Sequence, residues 1–208
     1  MNASHSKSAF LYRQVRRALQ SGDYAPGQRL DPTTLAGEFR TSPTPVRFAL
    51  YRLVGEGLVT DHARAGMHVP LPTEIVLRDR YDWMQRLLLL ACDIGFDETE
   101  FPGARPQRAA AEGNGDQTRL TWQLFDAIAR ATDHRSLHRA VQQTNDRLAP
   151  VRRAKQGLID GAPDELAVLQ RHWQRRDIPA LRSGVVAYHE RRKRLVPGIV
   201  AMLIDRLH

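Results

Sequence analysis

The sequence predicts a mainly α chain in two parts: a small helical unit closed by a β-hairpin, then a larger all-helical domain. Three observations carry this. Apolar residues recur at spacings of three and four through most of the 208 residues, as on one face of an amphipathic helix. Strand-like patterning is confined to the first third, where Leu58-Val-Thr-Asp-His62 and Met67-His-Val69 flank the turn Ala63-Arg-Ala-Gly66. Leu71-Pro-Thr-Glu74 then reads as a linker, and no alternating pattern follows it. The expected boundaries are 1–70, a linker 71–74, and 75–208.

In the first unit, the polar start Met1-Asn-Ala-Ser-His-Ser-Lys-Ser8 is expected to be a mobile arm. It lacks the apolar stretch of a signal peptide, which points to the cytoplasm. A helix carrying Tyr12, Val15 and Leu19 ends at Ser21-Gly22, and Tyr24-Ala-Pro-Gly-Gln-Arg-Leu30 turns into a short strand. Leu35, Ala36 and Phe39 give one short helix its apolar face, and Val46, Ala49, Leu50 and Leu53 give the next. Ser42 suits the N-cap of that second helix, Pro43 its first position and Gly57 its end. Two crossed helices joined by a tight turn form a helix-turn-helix, and the hairpin with Gly66 is its wing. Such a motif places the second helix in a DNA major groove.

The series Leu19, Gly22, Pro26-Gly27, Leu30, Leu35-Ala36, Ser42, Thr44-Pro-Val-Arg47, Ala49-Leu50, Leu53, Glu56-Gly-Leu-Val59, Gly66 and Val69 resembles the GntR family of bacterial transcription regulators. The likeness covers roughly a third of the chain and holds in register. It implies a DNA contact at Arg47, one turn into the recognition helix; Arg bidentate to guanine is the commonest specific pairing. Thr44 and Ser42 lie where a hydroxyl and the backbone N–H groups of a helix start can meet a phosphate. Gly66 suits a wing tip approaching the minor groove, with Arg64 and His68 beside it. Arg40, Arg29 and Arg52 are weaker candidates for the DNA backbone. Pro43 departs from the Arg common in the family, which predicts a changed operator preference.

Charge agrees with a polyanionic partner. The chain has 31 Lys and Arg against 23 Asp and Glu, a formal net charge of +8. Residues 1–70 hold nine of these bases and five of the acids. The one cysteine, Cys92, excludes an intrachain disulfide and reads as a small buried side chain. No apolar run approaches the ~20 residues that cross a bilayer, so no membrane partner is expected.

The second domain reads as helices over 75–94, ended by Gly95, then 118–132, 136–158, 163–176 and 178–207. Pro150 is expected to kink the third of these and Pro197-Gly198 to bend the last. Residues 101–117 are rich in Gly and Pro and read as loop, with one short helix over 107–112. The helix order resembles the FCD-type sensing domain of the FadR-like branch of that family. So do Leu124-Phe-Asp-Ala-Ile-Ala-Arg-Ala-Thr-Asp-His134, Asp164-Glu-Leu-Ala-Val-Leu-Gln-Arg-His-Trp-Gln-Arg-Arg-Asp177, and His189. The resemblance implies an antiparallel bundle that also carries a homodimer contact.

Many such domains hold a divalent metal by an Asp or Asn and three His. The resemblance puts those ligands at Thr121, Phe125, Leu166 and His189, so one imidazole remains. Nor do His134, His138 and His172 rebuild the set; His134 and His138 share an i, i+4 spacing but fall at a helix start, where a solvated pair is expected. No metal and no cofactor is expected. Met84 and Leu88 replace polar neighbours of that site. Two readings stay open. Met84, Leu88, Phe125 and Leu166 fill the space as solid core, or they line an apolar cavity with Thr121 and His189 as polar anchors. The second would favour an apolar or aromatic effector.

The sequence therefore predicts a homodimeric, effector-responsive regulator that binds double-stranded DNA at a palindromic operator. The alternative is a DNA-binding dimer whose second domain serves dimerisation alone. No nucleophile–base pair, Gly-rich phosphate loop or paired carboxylates in an apolar setting supports an enzyme.

Overall fold

The computed structural model describes residues 3–96 and 116–207. The expected loop and short helix between residues 101 and 115 lie outside them. Among the described residues the order is α1 (Ala3–Ser21), α2 (Pro32–Glu38), α3 (Pro43–Gly55), β1 (Thr60–His62), β2 (Gly66–His68), α4 (Glu74–Ile94), α5 (Gln117–Arg130), α6 (Arg135–Ala154), α7 (Ala162–Gln174), α8 (Ile178–Arg194) and α9 (Val196–Asp205). The chain is thus mainly α, with an N-terminal winged helix-turn-helix followed by helices.

The first unit has its own core. Leu11, Val15 and Leu19 of α1 pack with Leu35 and Ala36 of α2, Val46, Ala49, Leu50 and Leu53 of α3, and Met67 and Val69 of the wing. Each large aliphatic side chain so buried stabilises the fold by about 1.5–3 kcal/mol. Asp31 caps α2 by accepting from the Thr33 N–H. Ser42 sits at the N-cap of α3 with Pro43 following, but its side chain makes no capping bond. Between these helices Arg40 holds a left-handed conformation, φ 49°. In the hairpin, Thr60 pairs with His68, Asp61 with Met67 and His62 with Gly66. The short strand expected before Leu30 is reduced to a single bridge, Arg29 to His68. Residues 3–8, expected as part of an arm, begin α1 instead.

The second core joins α4 to α9. Thr73 caps α4 by accepting from the Val76 N–H, and Gly95, at φ 88°, ends it. Helix α5 starts at Gln117, one residue inside the expected loop. Helix α6 runs through Pro150. The last helix was expected to continue to Leu207 with a bend; it breaks at Leu195 into α8 and α9. Pro197 explains the position, since it has no N–H to donate and its ring crowds the carbonyl four residues back. Cys92 is half-buried rather than fully buried, and burial pushes its thiol pKa up to about 11.

The two units meet along α1 and α6. Gly22 ends α1 at φ 74°, and a Cβ there would fall 2.3 Å from Cβ of Arg153, so only glycine permits this approach.

Candidate nucleic-acid interface and the cavity of the helical domain

Helix α3 buries one face completely and turns another set of residues outward. Val46, Leu50 and Leu53 are at 0 % exposure and Ala49 at 1 %. Thr44, Arg47, Phe48, Tyr51 and Arg52 are exposed. Phe48 and Tyr51 keep 60 % and 54 % of their surface open, unusual for large aromatics on a free helix face. Sequence reasoning missed both, because it read the helix for its buried stripe; the signal was two aromatics out of phase with that stripe. Ser42, Arg40 and Arg64 are exposed, whereas Gly66 and His68 are half-buried. Gly66 has φ 82°, and the nearest side chain to a Cβ built there is that of Arg29, at 3.7 Å. His68 is held by a 3.1 Å contact from Nδ1 to the Gly66 carbonyl. Arg52 is already engaged: its guanidinium lies 3.9 Å from the Tyr12 ring centre and 3.6 Å from Glu56.

In the helical domain the six expected effector residues divide. Met84, Leu88, Phe125 and His189 show no exposure and Leu166 only 3 %. They belong to the buried interior of the helical domain. Phe125 makes an edge contact with Tyr188 and stacks on His189 at 5.6 Å. Thr121 lines a cavity, and its hydroxyl donates to the Gln117 carbonyl at 2.8 Å.

That cavity opens beside the expected place and is small, about 20 Å³. Its walls include Thr118 and Thr121 of α5, Arg152 of α6, Lys155, Ile159, and Tyr188 and Arg192 of α8. Its lining is cationic rather than apolar. Arg152, Lys155 and Arg192 are exposed by only 5 %, 7 % and 2 %. Burial and mutual repulsion hold Lys155 well below the usual lysine pKa and lower that of Arg152. Arg192 bonds Glu165 at 2.8 Å and lies over the Tyr188 ring. The sequence did carry a signal for this. Val141, Asn145, Leu148, Arg152 and Lys155 follow the spacing of a buried stripe, so the two cations fall in phase with the core.

This donor set does not suit a divalent metal. Thr121 is tied to its own helix, Phe125 and Leu166 offer no ligand, and His189 stands alone. The Nδ1 of His189 lies 2.7 Å from the Val185 carbonyl, and desolvation, together with Arg192 and Arg152, lowers its pKa to about 3. The same two guanidinium groups would repel a metal dication. Among the described residues no cluster of three His, Cys, Asp or Glu could hold one. Of the other two histidines at a helix start, His134 caps α6, accepting from the Leu137 N–H at 3.2 Å, and Nε2 of His138 lies 2.8 Å from Asp126. They form no pair.

A polar chain links this cavity to the first unit. Arg152 donates to Asn145 at 2.8 Å, and Asn145 to the Trp122 carbonyl at 3.1 Å. The Trp122 indole donates to Asp146, 2.8 Å away. Asp146, exposed by 1 %, also receives Gln20 at 2.9 Å and Arg16 at 2.8 Å from α1. Arg16 donates to the Tyr12 hydroxyl, which donates to Glu56, the C-cap of α3, at 2.7 Å. Arg147 reaches the Glu56 carbonyl directly, at 2.9 Å.

Comparison with known proteins agrees with this geometry. Residues 7–69 match the model of bacterial regulatory proteins of the gntR family. Over 146 residues the chain is 25 % identical to an uncharacterised HTH-type transcriptional regulator, YdhC, of Bacillus subtilis, the match spanning 65 % of each. Among solved structures, a candidate transcriptional regulator GntR from Rhodococcus sp. RHA1 superposes with a TM-score of 0.72 at 17 % identity, over 93 % of this chain and 98 % of that one. The McbR/YncC protein of E. coli does so at 0.67 and 20 % identity, over the whole of both. Residues 7–69 are therefore a GntR-type winged helix-turn-helix domain, and the fold of the whole chain is like that of both solved structures.

Proposed function

We propose that this chain, whose first 70 residues include a GntR-type DNA-binding domain, is a sequence-specific transcription regulator that acts as a homodimer and responds to a small molecule held in its helical domain. The observation that carries the reading is the outer face of α3. Thr44, Arg47, Phe48 and Tyr51 stand exposed on a helix whose other face is anchored in a complete core. Thr44 and Ser42, at the helix start, have N–H groups and hydroxyls for a phosphate. Arg47 has the reach and geometry for a guanine edge. Arg64 and the Gly66 turn supply the wing contact, and Arg40 a backbone contact from the turn between the helices.

The dimer reading is supported by α4. Val76, Trp83, Leu90 and Ile94 leave 39 %, 51 %, 47 % and 43 % of their surface open at helical spacing. A twofold dimer would present two recognition helices to two half-sites of a palindrome. No helix among the described residues is long and apolar enough to cross a membrane, and the role is that of a binding protein in the cytoplasm, not an enzyme. The polar chain from Arg152 to Glu56 favours effector control over a domain that only dimerises, since it ties the cavity to the end of α3.

Binding of the full-length protein to a selected operator tests this. Affinity should fall with salt, each phosphate contact adding about 0.9 to the slope of log K against log salt. Arg47→Ala should lose about 1–3 kcal/mol on the operator and little on random DNA. Equal affinity for operator and random DNA would overturn the reading.

A further inference from the structure

We propose that the cavity between α5, α6 and α8 is an anion site, taking a small molecule through a carboxylate or phosphate held by Arg152, Lys155 and Arg192. The inference rests on the helical domain being the sensor, and it names the chemistry that domain senses. It points away from the apolar effector suggested by Met84, Leu88, Phe125 and Leu166.

Three cations lie more than nine-tenths buried around one cleft. Among the described residues only Glu165 is within ion-pair distance of any of them; it holds Arg192 at 2.8 Å and is shared with Arg191 at 3.9 Å. Buried charges are costly unless paired, and here positive charge exceeds negative. Part of the donor capacity is unspent: Nη1 of Arg152 serves Asn145 and Nη1 of Arg192 serves Glu165 and the Tyr188 carbonyl, but other donors are left over. Nε of Arg152 and Nε of Arg192 have no hydrogen-bond partner, and the same holds for the hydroxyl of Thr118, which is 1 % exposed in the same cleft. The ammonium of Lys155 lies 5.6 Å from the Tyr81 ring centre.

A set of buried donors with no acceptor and an excess of positive charge is what an oxyanion satisfies. Charge-assisted bonds from guanidinium and ammonium groups are the strong ones. The open mouth gives such a group a way in. Helix α6 then supplies the response. Drawing Arg152 toward an anion pulls on Asn145, next in sequence to the Asp146 that anchors Arg16 and Gln20 of the DNA-binding unit.

The test is thermal melting of the full chain at constant ionic strength, with sodium chloride replaced in part by sodium benzoate, citrate or phosphate. A ligand at about 100 times its Kd should raise the melting temperature by roughly 5–10 °C in a chain of this size. At least one of the three anions should do so. Lys155→Met and Lys155→Gln should lose the response, and Arg139→Met, exposed on the same helix, should keep it. Without added anion, Lys155→Met should melt at or above the wild type, because it relieves repulsion. A response to benzoate or citrate but not phosphate assigns a carboxylate; the reverse assigns a phosphate. The proposal is overturned if none of the three raises the wild-type melting temperature. It is also overturned if Lys155→Met responds equally, or melts lower without anion, which would make Lys155 a structural cation. The sensor reading fails separately: an anion that binds through Lys155 yet leaves operator affinity unchanged keeps the site and removes the regulation.

Discussion

His189 shows how burial turns a residue that resembles a ligand into something else. It is fully buried, its Nδ1 faces the Val185 carbonyl, and its pKa is lowered to about 3 by desolvation and by two nearby guanidinium groups. It is therefore neutral in the fold at every physiological pH, whereas an unfolded histidine titrates near 6.5. Between pH 6.5 and 3 the unfolded chain binds the extra proton, so stability rises with pH through that window. The contribution of His189 is complete above about pH 6.5 and is lost as pH falls toward 3. His189→Gln should flatten the dependence of unfolding free energy on pH between 6.5 and 4, by up to about 1.4 kcal/mol per pH unit. Urea melts across that range provide the measurement, and identical slopes in the two proteins would show that His189 is protonated in the fold. Lys155 obeys the same sign: its lowered pKa also makes the folded state lose stability as pH falls.

At the scale of elements, the stripe that builds the core and the faces it leaves over have different fates. The stripe on α4, Leu77, Tyr81, Met84, Leu87, Leu88 and Ala91, is buried as the helical period requires. Val76 and Ile94 belong to no such face, and with Trp83 and Leu90 they remain open. If the proposed dimer forms through this open face, Trp83→Glu combined with Leu90→Glu should give a monomer in sedimentation at micromolar concentration with unchanged helix content. A dimer that survives both would move the contact to another face. The same distinction explains how much was legible. The helices and the wing could be read because period, caps and glycines are local signals: Leu35, Val46 and Leu50 mark the core, and Gly66 the wing turn. The break at Leu195 fell two residues before the proline that causes it, because proline acts on the preceding turn. The cavity could not be read from apolar residues, since a stripe of Met84, Leu88 and Phe125 looks the same whether it lines a space or fills one. Arg152 and Lys155, in phase with Val141 and Leu148, were the clue, and they pass for solvated charges unless their phase is counted.

Across the whole molecule, the decisive contact is the buried carboxylate of Asp146. It binds Arg16 and Gln20 on one side and Trp122 on the other, so one side chain fixes the DNA-binding unit against the helical domain. Gly22 against Arg153 and Arg147 on the Glu56 carbonyl reinforce the same seam. A fixed seam matters because a dimer that reads two half-sites gains affinity from having both heads already placed; loosely tethered heads must be ordered on binding. Asp146→Asn keeps the shape but removes the charge that holds Arg16. Affinity for the full palindrome should then fall by about tenfold, some 1.4 kcal/mol, while affinity for a single half-site stays within about twofold. Fluorescence anisotropy on the two DNAs gives the ratio directly. Parallel loss on both would mean that Asp146 stabilises the DNA-binding unit itself, and no loss on either would mean that the heads are placed by the DNA rather than by the seam.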